Sequence, residues 1–299
     1  MTVLKIYKMT FDYTHFGSGT LNESQITFDA GRLYSALFLE AVKLGVHQEF
    51  YQISNSENFA LSDAFPYISG QPALPKPIGY PKHREKATVD LKKVRQEAKK
   101  VKKIQYVPAS QFKDYIEHQA NIDMLSATQK ELAVEQIQTK KGEDPYEVSA
   151  TFLTVPLYVI AEESNLFNQL MESLQDTGIG GKKSSGYGQF KLEILDVPAN
   201  MQQRLTNNGS GKVMLLTTSL PNDVELEATL NGAAYLLKKS SGFVYSETVD
   251  ELLRKQDLYK FKSGSTFDRC FVGSIRDVRP DQFPHPVWNY SRGLFYQLS

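Results

Sequence analysis

The order of hydrophobic patterns along the chain is the feature that most restricts its fold. Apolar residues alternate over residues 3–11, as in a strand, and recur at helical spacing over residues 29–44. After a long interruption, an apolar strand pattern at 151–160 precedes a second helical pattern at 164–174. A half-buried strand pattern at 190–194 closes the series. This order of elements predicts one βαββαβ unit that carries a large insertion.

The interruption between these patterns has two unusual parts. Five of the thirteen prolines fall between residues 65 and 81, and this predicts an ordered loop rather than a helix or a central strand. Residues 82–103 hold ten Lys and Arg against three Asp and Glu, with apolar residues at helical spacing. Such a basic helix is either a solvated surface or a contact for a polyanion or an acidic subunit. The insertion as a whole is expected at about residues 72–138.

The remainder of the chain repeats the first pattern more weakly. Residues 207–211, Asn-Asn-Gly-Ser-Gly, are the best linker candidate, and strand, helix and strand patterns follow them. A chain of 299 residues also exceeds the size at which one core usually stops growing. We therefore expect an α+β fold of two ferredoxin-like modules, at residues 1–206 and 207–299.

Composition excludes several classes of protein. No stretch approaches the roughly 20 consecutive apolar residues of a membrane span, and the first residues do not form a signal peptide, so a cytoplasmic protein is expected. The single cysteine, Cys270, the absence of CxxC and HExxH motifs and five dispersed histidines predict neither a metal site nor a cofactor. Formal net charge is zero, which leaves the basic segment as a local feature.

A glycine-rich loop, Gly-Ile-Gly-Gly-Lys-Lys-Ser-Ser-Gly-Tyr-Gly, occupies residues 178–188. It is not a P-loop, because Tyr187 and Gly188 stand where lysine and a hydroxyl residue are required. It is not a dinucleotide-binding turn either, because it follows a helix and opens a strand. Five glycines, two lysines and two serines can still offer backbone amides and charge to successive phosphates of a nucleic acid. The alternative is a mobile connection with solvated lysines.

Several side chains near glycine-rich turns have two interpretations. Phe16, Tyr187 and Phe267 can stack against splayed bases of single-stranded RNA, or they can be core aromatics. Arg32, near the start of the first helix, can reach a phosphate or form a solvated salt bridge.

Five segments of the chain carry a resemblance to a known family. They are HFGSG at residue 15, SALFLEAVKLG at residue 35, AFPYI and LPKPI within the proline-rich stretch, GIGGKKSSGYGQF at residue 178, and HPVWNYSRGLFYQL at residue 285. Together they resemble the RAMP (repeat-associated mysterious protein) superfamily. Within it, the chain is most similar to the family of the fourth Csm subunit of type III-A CRISPR effector complexes.

The resemblance implies two ferredoxin-like, RRM-like RAMP modules with a thumb-like insertion in the first. It also implies a non-catalytic, RNA-binding role in antiviral defence. Members of this family hold the 5′ tag of the crRNA and dock the large polymerase/cyclase-like subunit and the first backbone RAMP subunit, so they meet target RNA only indirectly.

The same resemblance implies that the turn at residues 15–19 and the glycine loop bind RNA, with 263–265 as a comparable loop of the second module. Together with Arg32, the expected RNA-binding residues are His15, Phe16, Gly17, Ser18, Gly19, Arg32, Gly178, Gly180, Gly181, Lys182, Lys183, Ser184, Ser185, Gly186, Tyr187, Gly188, Ser263, Gly264 and Ser265.

Two other functions stay open on the sequence. Some RAMP proteins cleave repeat RNA without a metal, and His15 beside a flexible turn can serve as the general acid or base of such an endoribonuclease. A histidine that only hydrogen-bonds RNA or backbone is the alternative role of this residue. The chain can also be a protein-only scaffold whose contacts do not involve RNA.

Overall fold

The structure, a computed structural model, describes residues 3–17, 22–81, 91–140, 146–206, 210–246 and 249–298. Ser18 and Gly19, residues 82–90 of the basic segment and linker residues 207–209 lie outside this part of the chain. The described residues form the helices α1 (Ala30–Lys43), α2 (His47–Asn55), α3 (Leu91–Lys103), α4 (Phe112–Ile116), α5 (Ile122–Thr128), α6 (Asn165–Thr177), α7 (Ala199–Gln202) and α8 (Asp223–Leu230).

The strands, in chain order, are β1 (Leu4–Phe11), β2 (Phe16–Gly17), β3 (Ser24–Gln25), β4 (Phe65–Ile68), β5 (Gln71–Pro75), β6 (Tyr106–Pro108), β7 (Ala133–Lys140), β8 (Tyr146–Leu153), β9 (Leu157–Glu162), β10 (Phe190–Asp196), β11 (Leu205–Thr206), β12 (Ser210–Leu215), β13 (Leu237–Ser240), β14 (Phe243–Ser246), β15 (Val249–Arg254), β16 (Leu258–Phe261), β17 (Thr266–Arg269), β18 (Gly273–Asp277), β19 (Trp288–Arg292) and β20 (Phe295–Gln297). The fold is mixed α and β with antiparallel pairing, as the sequence predicts.

A larger sheet in the order β10-β1-β9-β4-β5-β6 forms the centre of the fold. On one of its faces, Tyr7 and Met9 of β1 and Val159 of β9 pack with the apolar sides of α1 and α6. Ile6 and Ile160 point to the opposite face. Strand β9 is buried on both faces, which explains why its sequence is continuously apolar instead of alternating.

A smaller sheet in the order β11-β20-β12-β17 contributes to the cover of this second face. Met214, Leu216 and Tyr296 from its strands and the adjoining chain share one core with Ile6 and Tyr158 of the larger sheet. The two sheets are therefore held together by a common apolar layer and not by a short linker alone.

Both helices predicted at residues 29–44 and 164–174 are confirmed, and each begins after a polar capping residue. Asp29 precedes α1 and its side chain accepts a hydrogen bond from the Arg32 amide over 2.9 Å. Ser164 caps α6 in the same way, with the Phe167 amide donating over 3.1 Å. Each cap satisfies an amide that the first helical turn leaves without a partner. Within the described residues, no helix is long and apolar enough to span a membrane.

Two expectations about strands are wrong. The proline-rich stretch is not a loop, because it contains β4 and β5, which lie inside the larger sheet. Pro66 pairs with Leu157 and Pro72 with Tyr67, and each of these two strand pairings is only two residues long. Because a proline has no amide hydrogen, it removes few hydrogen bonds from such a short pairing. The apolar run at 151–160 is not one strand either, since β8 ends before Thr154 and β9 begins after Pro156.

A buried polar cluster joins the start of α1 to strands that follow residue 210. The Asp63 carboxylate accepts hydrogen bonds from the Ala30 and Thr218 amides, each over 2.9 Å, and from the Thr218 hydroxyl over 2.6 Å. The Lys260 ammonium group is fully buried and donates to the Tyr290 carbonyl and the Asn289 side chain. Such a cluster fixes the position of α1, because every misplacement leaves a buried polar group without its partner.

Candidate nucleic-acid interface

A groove of about 460 Å³ lies where α1 passes the glycine loop and the segment that follows β1. We call it the His15 groove. Four lining residues come from α1, four from the glycine loop and two from the turn after β1: Arg32, Ser35, Ala36 and Leu39, then Ile179, Gly180, Gly181 and Lys183, then His15 and Gly17. The structure thus brings together the three segments that the sequence places far apart.

Hydrogen bonds to the segment that follows β1 hold both ends of the glycine loop. The Gly181 amide donates to the His15 carbonyl over 2.9 Å, and the Gly188 amide donates to the Tyr13 carbonyl over 2.7 Å. Gly188 has a φ of +81°, and a Cβ there would lie 2.1 Å from the Ile179 carbonyl oxygen. Only glycine fits such a position, so these residues serve close packing of the backbone. The interpretation of the whole loop as a mobile connection is therefore wrong for its two ends.

The middle of the loop projects outward from these anchors. Lys183, Ser184 and Ser185 form a single 3-10 turn that is exposed, between left-handed Lys182 and Gly186. A Cβ on Gly186 would meet no heavy atom within 4 Å, in contrast to a Cβ on Gly188. A rigid base that presents an ammonium group and two hydroxyls at the rim of a groove is suited to a phosphate chain.

His15 is almost fully buried, and its ring forms part of the groove wall. Its Nδ1 lies 2.8 Å from the Ser149 carbonyl oxygen. A carbonyl can only accept, so Nδ1 carries the proton in this bond and Nε2 of a neutral ring carries the lone pair. The Ser149 side chain is itself held by Glu135 of β7, which fixes the strand behind the ring.

Arg32 contributes the groove's guanidinium group. Its Nη2 donates to the Gly17 carbonyl over 2.7 Å, and this bond orients the side chain along the groove. Burial lowers the pKa of Arg32, and the carboxylate of Asp29 opposes this effect. An arginine stays protonated under these conditions, so the groove keeps a fixed positive charge.

Of the two interpretations of the aromatic rings near the glycine turns, the structure supports core packing, and this contradicts a stacking contact of Phe16 or Tyr187 with RNA. Phe16 and Phe267 have 0% of their surface exposed, and Tyr187 has 7%. Phe16 packs edge-on against Phe11 and Phe28 in the core beneath the groove. Tyr187 packs against Tyr13 in the same manner. Phe267 packs in a separate core with Phe261, Phe271 and Phe295. None of the three rings offers an open face to a base.

The second predicted loop has a different role from the first. The Gly264 carbonyl accepts a hydrogen bond from the Ile78 amide over 2.8 Å, and a Cβ on Gly264 would lie 2.7 Å from the Lys76 carbonyl oxygen. Ser265 is fully buried, and Ser263 is partly exposed. The contacts of Gly264 and Ser265 are thus with protein, which contradicts their expected role as an open RNA-binding loop.

Sequence reasoning missed part of the helical wall of the groove. Ser35, Ala36 and Leu39 follow Arg32 at intervals of three, four and seven residues and therefore lie on its side of α1. Leu39 is more than half exposed although it is large and apolar. Helical spacing from Arg32 was the signal in the sequence that could have identified these residues.

The chain resembles known proteins over nearly its whole length. A family model described as "CRISPR Csm4 C-terminal domain" matches residues 208–298. A curated relative from Streptococcus thermophilus, "CRISPR system Cms protein Csm4", is 48% identical, with 98% of each chain covered.

Solved structures show the same fold. A chain in the crystal structure of a Csm3-Csm4 subcomplex of the type III-A CRISPR-Cas interference complex matches with a TM-score of 0.66 and 18% identity, with 99% of each chain covered. A chain of a Csm1-Csm4 cassette in complex with pppApA matches with a TM-score of 0.60 and 14% identity, over 99% of this chain and 98% of that one.

The chain is thus an α+β protein with a cationic, glycine-walled surface groove, and its fold is similar to that of subunits of CRISPR-associated complexes. The 48% identity over almost the full length then identifies the family. This chain belongs to the Csm4 family.

Proposed function

We propose that this protein is the RNA-holding Csm4 subunit of a type III-A CRISPR effector complex, and that the His15 groove grips the 5′ tag of the crRNA. The observation that carries the proposal is the groove itself. Its anchored glycine loop holds Lys183 at the rim, Arg32 stands on the opposite wall, and backbone approaches closely at Gly180 and Gly181. Cations and amides on a fixed backbone suit successive phosphates of a single strand.

The role is positional. By holding the 5′ end of the crRNA guide, the subunit fixes the register from which neighbouring subunits measure the guide. This task needs no bond to be made or broken, in keeping with a non-catalytic subunit. The proposed RNA-binding set consists of residues 182–186 of the glycine loop, of which 183–186 are exposed, with His15, Gly17, Arg32, Gly180 and Gly181. Ser18 and Gly19 belong in sequence to the turn of His15 and Gly17.

The proposed architecture is two ferredoxin-like modules, at residues 1–206 and 207–299, with a thumb-like insertion in the first. In the first, the antiparallel order β10-β1-β9-β4 supports it, since a βαββαβ unit places its fourth, first, third and second strands in this order. The match of the C-terminal family model to residues 208–298 supports the boundary. The insertion contains α3, whose described residues 95–100 are all exposed.

The partners proposed for this chain follow from its relatives. The matching solved structures are complexes of Csm4 with Csm3 and with Csm1. We propose that this chain docks the corresponding backbone and large subunits of its own complex, and that it meets target RNA only through them. The surface that contacts the large subunit couples the position of the crRNA guide to the activities of that subunit.

A reconstituted complex tests the tag-holding role. We expect a Lys182→Ala/Lys183→Ala double variant with Gly186→Leu, whose Cβ enters open space, to lose protection of the crRNA 5′ end from nuclease while the complex still assembles. Lys239→Ala, which removes a lysine that pairs with Asp257 outside the groove, is the matched control. Unaltered 5′ protection in the groove variant would overturn the proposal.

A metal-independent endoribonuclease is the second candidate function. The observation in its favour is that the His15 ring lines the groove with its Nδ1 bound to the Ser149 carbonyl, which leaves Nε2 for the role of a general base. Incubating the purified chain with repeat RNA in EDTA and running a denaturing gel separates the two functions. Intact, salt-sensitively bound RNA supports tag holding, and cleavage that His15→Ala abolishes supports the nuclease. Contacts with neighbours that survive both ribonuclease treatment and groove substitution would favour a protein-only scaffold.

A further inference from the structure

We infer that Nε2 of His15 accepts a hydrogen bond from a ribose 2′-hydroxyl, so that this one contact makes the groove selective for RNA over DNA. The inference rests on the proposed function, because it requires RNA in the His15 groove. It adds a specific role for a residue whose contacts so far explain only its orientation.

The hydrogen-bonding state of the ring gives the first step. Nδ1 is committed as a donor to the Ser149 carbonyl, so a neutral His15 can only accept at Nε2. Within the described part of the chain, no side chain or amide donates to Nε2. The bond to Ser149 orients the ring, and the Gly181 amide holds the backbone of the same residue by donating to its carbonyl.

The two glycines beside the ring give the second step. A Cβ on Gly17 would lie 3.0 Å from His15 Nε2, and a Cβ on Gly181 would lie 2.7 Å from His15 Cδ2. Gly17 does not have the left-handed conformation that would by itself demand glycine. Backbone conformation therefore does not explain why residue 17 is a glycine. The absence of a side chain at Gly17 keeps the acceptor atom, Nε2 of His15, accessible.

The chemistry of the surrounding groove gives the third step. Arg32 and Lys183 are donors only, and they suit phosphate oxygens, which are acceptors only. A neutral Nε2 cannot bind a phosphate oxygen, since both atoms carry lone pairs. A ribose 2′-hydroxyl is a donor and is adjacent to the 3′ phosphate, so one nucleotide can satisfy the acceptor and the cations together. DNA has the phosphate but lacks the donor.

A scan of single 2′-deoxy substitutions along a synthetic crRNA tag tests this contact. The full chain is used alone, and in parallel within its reconstituted complex. We expect one position at which 2′-deoxy substitution weakens binding by about threefold to tenfold, as for the loss of one hydrogen bond. A 2′-O-methyl group at that position should weaken binding at least as much, because it removes the donor and adds bulk.

Two variants assign the effect to Nε2. His15→Ala should bind the all-ribose tag and the deoxy-substituted tag equally. Gly17→Ala should do the same while His15 keeps its bond to Ser149, so the test does not depend on one buried substitution. Lys183→Ala should weaken both oligonucleotides by one common factor, since it acts on phosphate. His285→Ala, in an exposed loop, is the matched histidine control.

The outcomes separate this inference from the proposed function. A scan without any position-specific loss, or a loss that persists unchanged in both variants, overturns the 2′-hydroxyl contact while tag binding remains. Failure of the wild-type chain to retain any tag oligonucleotide, alone and in the complex, overturns the proposed function as well.

Discussion

Lys238 of β13 donates to Asp29, the residue that caps α1, over 2.7 Å between Nζ and Oδ2. The same carboxylate accepts the Arg32 amide, so one side chain starts the helix that carries the groove's guanidinium and ties it to the far part of the chain. Burial alone would raise the pKa of Asp29, but Lys238 and Lys260 outweigh it and hold the pKa well below its usual range. The groove's geometry therefore depends on an ion pair outside the groove.

Removal of either partner of this pair should destabilise the protein. We expect Asp29→Asn and Lys238→Met each to lower the free energy of unfolding by about 1 to 3 kcal/mol, because each leaves a partly buried charge unpaired. Asp29→Asn keeps the capping function, since asparagine also caps helices. Urea denaturation of the two single variants and the double variant measures the coupling between them.

The coupling energy decides this prediction. Additive effects of the two substitutions would contradict it, since residues in direct contact should show non-additivity. Lys239→Met is the control on the same strand, because the ion pair of Lys239 with Asp257 is more exposed than that of Lys238 with Asp29. It should change stability less than Lys238→Met does.

The buried Lys260 should make stability depend on alkaline pH. Burial lowers its pKa to about 8, although Asp29 and Asp63 oppose the shift. Between this value and the unfolded pKa near 10.4, the unfolded chain binds more protons than the folded one, so the Lys260 contribution to stability rises with pH. From pH 7 to pH 10 the wild type should gain about 2 kcal/mol relative to Lys260→Met. Parallel urea titrations of both proteins measure it, and a pH-independent difference would contradict the shift.

The sequence predicts those parts of the fold that depend on local chemistry. Asp29 and Ser164 mark the starts of α1 and α6 because a cap acts on its own helix. The strands at Pro66 and Pro72 were missed because the cost of a proline depends on which amides face a neighbouring strand. For Pro66 the neighbouring strand is β9, about 90 residues further along, and no local pattern contains that register. Pro72 pairs with Tyr67 of β4, so its strand depends on the placement of β4.

The candidate site divides in a similar way. The glycine loop, His15 and Arg32 were predicted, and the structure brings them to one groove. Phe16 and Tyr187 were misassigned because a ring beside a glycine turn has the same sequence whether it faces solvent or the core. The burial of Gly264 against Lys76 is a contact between distant segments, which composition does not reveal.

Two glycines of the same loop should differ sharply in their tolerance of a side chain. Gly188→Ala should prevent folding or destabilise by several kcal/mol, since its Cβ would overlap the Ile179 carbonyl. Gly186→Ala has open space around the Cβ, so only the left-handed backbone strain of about 1 kcal/mol remains. Thermal denaturation of both variants measures this contrast, and equal melting temperatures would show that the loop is not packed as described.

Core and surface positions of the groove should be separable by stability and salt dependence. Phe16→Ala should cost about 3 to 5 kcal/mol of unfolding free energy, because its ring is fully buried among Phe11 and Phe28. Lys183→Ala should leave stability unchanged, because this side chain is exposed. It should instead weaken tag binding and reduce the slope of log K against log salt by about 0.7, as for one lost phosphate contact on a single strand. A Lys183→Ala variant with the wild-type slope would place the phosphate elsewhere on the surface.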